Sequence, residues 1–277
     1  MPRLLIAVLL LALGFAACGE GHPGVRSLDP VPTATPTPEP LPSDAEGLAA
    51  DLTHTSAALR AGIEAWRRDG DPGTGDAPPG VAADAARIER IHRALAPRRR
   101  MTARVLPLLP LRVRREARDV IAARRALDVL NKPRPGTTPP RIRTGPPEPA
   151  DTLRAFYREG RRRSGVRAKL LAAVNLIESD FGRVRNNSVS GAQGPMQFMP
   201  ATWQSYGHGG DIHDPHDAIL GAARFLAAAG ARSSEAGALY RYNPSQLYVT
   251  AVSSYARVMT RDPLAFYGFY ASGADGA

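Results

Sequence analysis

The chain of 277 residues has one cysteine, Cys18, so no disulfide can close within it and the fold must rest on its core. Lysine is nearly missing, occurring only at Lys132 and Lys169, so arginine carries most of the 36 basic residues set against 26 acidic ones. The net charge of +10 is partly compositional, because arginine beside abundant alanine, glycine and proline fits a genome of high GC content. Its functional reading is attraction to an anionic wall or lipid surface. No nucleic-acid-binding motif is present, which disfavours a DNA or RNA partner. Strand-like alternation is scarce and no internal repeat is visible, whereas apolar residues recur at three- and four-residue spacing. The expected fold class is therefore mainly α.

Long apolar runs are also lacking, with one short exception: Leu4 to Phe15, preceded by Arg3. It is too short for a comfortable membrane span and reads as a signal-peptide core. The end of the run, Phe15-Ala16-Ala17-Cys18-Gly19, resembles a bacterial lipoprotein cleavage box, with Phe15 where Leu is usual. Lipid attachment would explain the lone Cys18; ordinary cleavage and release is the alternative. Residues 1–18 are thus expected to be an export signal and 19–43 a Pro/Thr-rich extended tether. Residues 44–131 read as a helical accessory region. Its segments run from Ser43-Asp44 through Trp66, from Ala82 to Leu95, and from about Arg112 to Leu130. Pro107 and Pro110 are expected to break the chain, and Arg98-Arg99-Arg100 to form a solvated turn. A Pro-rich linker, 132–150, leads to residues 151–277, with helices expected near 150–162, 166–181, 200–206, 215–229, 234–242 and 244–260.

One acid stands out in that last part. Leu170, Val174, Ile177 and Phe181 form the apolar face of a helix, and Glu178 lies at its edge near the C-terminal end. Burial and the negative end of the helix dipole would both raise its pKa, which suits proton donation to a glycosidic oxygen. A surface glutamate in a last helical turn is the bland alternative. Gly182 is the expected terminator. Then comes Gly191-Ala192-Gln193-Gly194-Pro195-Met196-Gln197, a turn whose glycines permit close backbone approach. Gln197 can donate and accept at once, as an acetamido group requires; a structural turn around a buried Met196 is the alternative. Trp203 and Tyr206 are expected in the core, with sugar stacking as the other option.

Together these residues resemble the lysozyme-like soluble lytic transglycosylases that cut bacterial peptidoglycan, in a version similar to the exported actinobacterial branch. The resemblance rests on Glu178-Ser179, Gly194-Pro195-Met196-Gln197, Arg241-Tyr242-Asn243 and Tyr248-Val249, in that order, and covers roughly residues 151 to 270. It departs at Pro195 for Leu, at Arg241 for Ala, and at Pro244-Ser245 where a glycine is usual. It implies a lysozyme-like catalytic domain at 151–277 and Glu178 as the catalytic acid, then base. It also implies substrate contacts at Ser188, Gly194, Met196, Gln197, Tyr242, Asn243 and Tyr248, with Tyr242 able to orient the acid. Peptidoglycan strands would be the partner, no cofactor would be needed, and the N-terminus would place the protein at the outer face of the cytoplasmic membrane or in the wall. Asn243 before Pro244 also reads as an N-cap, and Tyr248 also reads as packing.

Most glycosidases need two carboxyl groups, and a second is hard to find. A continuing helix would point Asp180 away from Glu178, Asp214 and Asp217 read as a helix cap, and Glu235 sits in a first helical turn. A lone acid suits substrate-assisted cleavage; the resemblance implies that the substrate's acetamido group stabilises the oxocarbenium-like centre and that its 6-hydroxyl closes a 1,6-anhydro ring. A hydrolytic muramidase using a water near Asp180 or Asp211, or a non-catalytic wall-binding lipoprotein, are the alternatives. His208, His213 and His216 lie among these aspartates without ligand-pair spacing, so no metal site is expected.

Overall fold

The computed structural model describes residues 39–132 and 141–273. The expected signal segment, Cys18, most of the tether and part of the second Pro-rich linker lie outside the described residues. Among those described there are eleven helices, two isolated β-bridges and no named strand. The molecule is mainly α, as the periodicity predicts, and none of its helices is long and apolar enough to cross a membrane.

Helices α1 (Ala45–Asp69), α2 (Pro79–Leu95) and α4 (Leu111–Leu130) correspond to the three expected segments of the accessory region. Asp44 caps α1 by accepting from the Gly47 amide at 2.7 Å, satisfying one of the free N–H groups of the first turn. Between α2 and α4 lies α3 (Arg99–Leu108), which the two prolines argued against. Pro107 falls in its last turn, so it shortens the helix instead of preventing it. Thr102 ties its start by donating to the carbonyls of Leu95 at 2.7 Å and Arg98 at 3.0 Å. Arg98, Arg99 and Arg100 are solvated as expected, but Arg99 and Arg100 open this helix rather than a turn.

The later helices are α5 (Ala150–Ser164), α6 (Ala168–Ser179), α7 (Pro200–Tyr206), α8 (Pro215–Ala228), α9 (Glu235–Tyr242) and α10 (Gln246–Arg261). All six were expected. An eleventh, α11 (Ala265–Ser272), was not: it is short, has no side-chain cap bond or first-turn acid to mark its start, and is apolar along most of its length. It buries Phe266, Tyr267, Tyr270 and Ala271.

Leu48, Leu52, Ile91, Leu95, Val105 and Leu109 form a core within α1–α4. A second core begins with Trp66, Val120 and Leu127 and runs without a break into Leu170, Val174, Phe181, Val252 and Phe266. Helix α4 packs along α10, α2 along α11, and α6 lies among α5, α8 and α10. Trp66 stands edge-on to Tyr267, ring centroids 5.8 Å apart. Ion pairs flank this seam, from Arg60 to Asp262 at 2.6 Å and from Arg257 and Arg261 to Asp119. The consequence for the site is that α10, which reaches the acid through Tyr248, is held from the other side by α4.

Candidate active site

Helix α6 is enclosed almost all round, and Leu170, Leu171, Ala173 and Val174 have no exposed surface. Glu178, the last residue but one of this helix, is only 5% exposed. Its Oε1 accepts a 2.6 Å hydrogen bond from the Tyr248 hydroxyl of α10, and its buried Oε2 has no partner. Burial pushes this carboxyl up to about 8, against the opposing pull of the Tyr248 hydrogen bond. Near neutral pH it therefore holds a proton that no protein atom shares. Tyr248 is itself fully buried, and burial and the neighbouring Glu178 raise its pKa well above the ordinary phenol range. It stays a hydroxyl donor.

The helix stops sharply after the acid. Asp180, Phe181 and Gly182 have φ of 50°, 59° and 90°, so three successive residues are left-handed. Asp180, not Gly182, is the first of them and the C-cap. Two of the three are not glycine, which stores strain beside the acid; the buried Phe181 ring, edge-on to Phe266 at 5.3 Å, helps hold them there.

The Gly-Pro-Met-Gln turn is fastened directly to α6. Gln193 and Phe198 exchange backbone hydrogen bonds of 2.8 and 2.9 Å, closing a hairpin. The Pro195 carbonyl at its tip accepts from Ser179 Oγ at 2.6 Å and Asn175 Nδ2 at 2.8 Å. Asn175 Oδ1 in turn accepts from the Tyr157 hydroxyl of α5 at 2.6 Å. Gly194 has φ +73°, and a Cβ there would lie 1.9 Å from the Ile212 carbonyl oxygen, so no side chain fits. Gln197 is held at φ 48°, its amide nitrogen donating to the carbonyls of Gly194 at 2.9 Å and Asn186 at 3.3 Å.

Several expectations for individual residues change. Tyr242 does not hydrogen-bond the acid; it donates to the Met196 carbonyl at 2.6 Å, and Tyr248 takes the place at the carboxyl. The two rings are parallel, at 2° and 6.4 Å between centroids, so Tyr242 backs Tyr248. Met196 has no exposed side-chain surface, which makes it a core residue. Asn243 is not the N-cap of α10. It follows the end of α9, and Ser245 occupies the cap, because α10 begins only at Gln246. Asn243 is buried and its Nδ2 lacks a partner. Ser188 Oγ accepts from the Ala192 amide at 2.9 Å and so shapes the loop before the hairpin. Trp203 and Tyr206 pack edge-on against Phe198 and Phe225, but both are only half-buried, so neither is the core residue the sequence led us to expect.

The other carboxylates have structural work. Asp180 pairs with Arg183 at 3.5 Å, and burial pushes its carboxyl up to about 6. Asp211 accepts from the His213 amide, Asp214 caps α8 through the Asp217 amide, and Glu235 pairs with Arg167. Asp214, His216 and Asp217 could bring ligand atoms within 4.8 Å of one another, but cap geometry and a 3.0 Å contact from His216 to Glu159 account for them. Sequence reasoning missed the Tyr157–Asn175–Pro195 chain. Its one available signal was Asn175, a polar residue inside an apolar helix.

Residues 143–239 match the family model of the transglycosylase SLT domain. The matched segment contains Glu178, Ser188 and the Gly194–Gln197 turn but ends before Tyr242, Asn243 and Tyr248. A search of curated proteins and of solved structures returns no significant match.

Proposed function

We propose that this transglycosylase SLT domain cleaves the β-1,4 bond between N-acetylmuramic acid and N-acetylglucosamine in peptidoglycan, leaving 1,6-anhydro-muramic ends. The observation that carries the reading is the state of Glu178: buried, raised to about 8, with Oε1 held by Tyr248 and Oε2 unshared. In the first step the Oε2 proton passes to the glycosidic oxygen as the C1–O bond breaks. The carboxylate left behind is stabilised by the Tyr248 hydroxyl. The substrate's own acetamido group supports the electron-poor C1. Glu178 then takes the proton of the 6-hydroxyl of the same sugar as that oxygen bonds to C1, which restores the acid and consumes no water. Having both reacting atoms in one ring supplies the proximity.

The strapped hairpin gives this acid a fixed wall. Gln197, Ser188 and the backbone around Gly194 are the groups we assign to sugar contacts, with Asn243 Nδ2 as a donor beyond them. Met196, Tyr242 and Tyr248 act behind the surface, the last by orienting the acid. Hydrolysis by the same acid is the second reading. It calls for another carboxylate near the anomeric carbon, and the engagement of Asp180 with Arg183 weighs against it. We place the protein outside the cytoplasmic membrane, lipid-anchored through Cys18, with residues 151–277 as the catalytic domain.

The test is mass spectrometry of purified peptidoglycan digested by the protein from residue 19 onward. Muropeptides one water lighter than reducing-end products, and absent with Glu178→Gln, are expected. Reducing-end products alone would replace this reading with a hydrolase.

A further inference from the structure

The opposite end of α6 carries a second concentration of chemistry. A cleft of about 370 Å³ opens between α5, the start of α6 and the end of α10. Its floor is aromatic and small, from Tyr157, Phe266 and Ala172. Five cations line it: Arg154, Arg158 and Arg161 at successive turns of α5, and Arg167 and Lys169 at the start of α6. Two are already neutralised. Arg154 pairs with Asp151 at 2.8 Å, and Arg167 pairs with Glu235. Arg158, Arg161 and Lys169 make no ion pair among the described residues. Burial, and then the positive charges of Arg154 and Arg158, hold the Lys169 ammonium below its usual range.

The helix end adds to the imbalance. The first turn of a helix favours acidic groups, yet α6 has Arg167 at its N-cap without a side-chain cap bond, and no acid in its first turn. Lys169 and Glu178 are nine residues apart, so they lie about 13 Å apart along the axis and on opposite faces of the helix. The cleft is therefore separate from the surroundings of the acid.

We infer that this cleft binds a phosphate group, presented either by an anionic lipid headgroup or by a phosphate-bearing polymer of the wall. A phosphate oxygen array can take bidentate contacts from two guanidinium groups and a point charge from lysine. A phosphodiester carries one charge, as a carboxylate does, but its oxygens are arranged tetrahedrally and can be shared among donors converging from two helices, which a planar carboxylate does less well. The result is a second point of attachment that leaves the catalytic face free.

The experiment uses the full chain with Cys18→Ser, so that no acyl chain contributes. Inorganic phosphate is titrated against thermal unfolding, with sodium chloride at matched ionic strength as control. Phosphate is expected to raise the melting temperature saturably. The apparent affinity should fall roughly tenfold or more in Arg158→Gln/Arg161→Gln, whose side chains are exposed. An equal shift in parent and double variant, or an equal shift with chloride, overturns the inference. Lys169→Gln gives an independent check and should also weaken phosphate.

The source is read from pull-down on phosphatidylcholine vesicles with and without phosphatidylglycerol, and on purified wall before and after its phosphodiester polymers are removed. Loss of binding in the double variant only on the anionic vesicles assigns a lipid headgroup; loss only on the untreated wall assigns a polymer. Undiminished binding of the double variant to both overturns the proposal. Cleavage of short glycan fragments should be the same in parent and double variant, which separates a failure here from a failure of the catalytic reading.

Discussion

The surroundings of Glu178 and the seam between α1–α4 and α10–α11 are both buried, but they rely on polar atoms to different extents. Around the acid, a few desolvated groups are matched one to one: Tyr248 to Oε1, Ser179 and Asn175 to the Pro195 carbonyl, Tyr157 to Asn175. One acceptor, Oε2, is left open. Along the seam most of the burial is apolar, although Arg124 and Glu89 pair within it and His92 is buried there with Nε2 unpartnered; the Asp119 pairs lie nearer its margin, where Arg257 is half exposed. A buried single hydrogen bond is costly to break because the remaining group is stranded, whereas a marginal ion pair is replaced by water. The first region therefore gives up stability for a poised proton, and the second supplies stability by area.

The largest expected effect is on the reaction. Glu178→Gln should lower glycan cleavage by about 10²- to 10⁴-fold, measured by muropeptide release. The same change should stabilise the fold in a pH-dependent way. Folding raises this acid from 4.5 to about 8, so the folded protein holds the proton more tightly than the unfolded chain. The group's contribution to stability is full below the unfolded value and is lost as pH rises through the folded one. The melting temperature of the variant should match the parent near pH 4 and exceed it increasingly toward pH 8; a constant offset would break the comparison. Parental activity should fall as pH rises through about 8.

Next come the two packing anchors. Trp66→Ala removes a ring from the seam and should cost about 3–5 kcal/mol in denaturant unfolding. If α5–α11 kept their full stability in that variant, the seam would not be supporting them. Gly194→Ala forces a Cβ onto the Ile212 carbonyl at a left-handed position and should cost at least roughly 3 kcal/mol, with activity falling alongside. Tyr248→Phe should cost about 1–3 kcal/mol by stranding Oε1. Because the lost bond had lowered the acid's pKa, the alkaline limb of the activity profile should move to higher pH. Smallest is Asp119→Asn, which removes two marginal ion pairs and should cost under about 1 kcal/mol in the same unfolding measurement.

Much of the helix order was legible from amphipathic repetition in the longer helices and from start signals in the short ones, Pro200 for α7 and Glu235 for α9. Where the signal was shorter or contradicted, it failed. Helix α3 was hidden by Pro107, which a last turn tolerates, and α11 by its brevity and its apolar character on every face. The acid and the glycine turn were legible because their chemistry is local: Gly194 needs its own backbone angle, and Glu178 sits on an apolar stripe. The partner of the acid was not, since Tyr242 and Tyr248 are both candidates far along the chain and only the packing of α10 on α6 chooses between them. Asn243 was misassigned for a related reason. Asn243 precedes Pro244 as a cap would, but α10 starts later, and the residue is the buried C-cap of α9 instead.

The chain's sequence by itself determined a mainly helical protein, the position of one acid at the end of an apolar helix, and a turn that only glycine can make, because each depends on neighbours a few residues away. Tertiary structure decided how far that acid's pKa rises, which tyrosine holds it, and that the α6 N-terminus joins α5 in an unbalanced cationic cleft. Desolvation and the pairing of charges are properties of what surrounds a group in space, and those surroundings come from helices far apart along the chain.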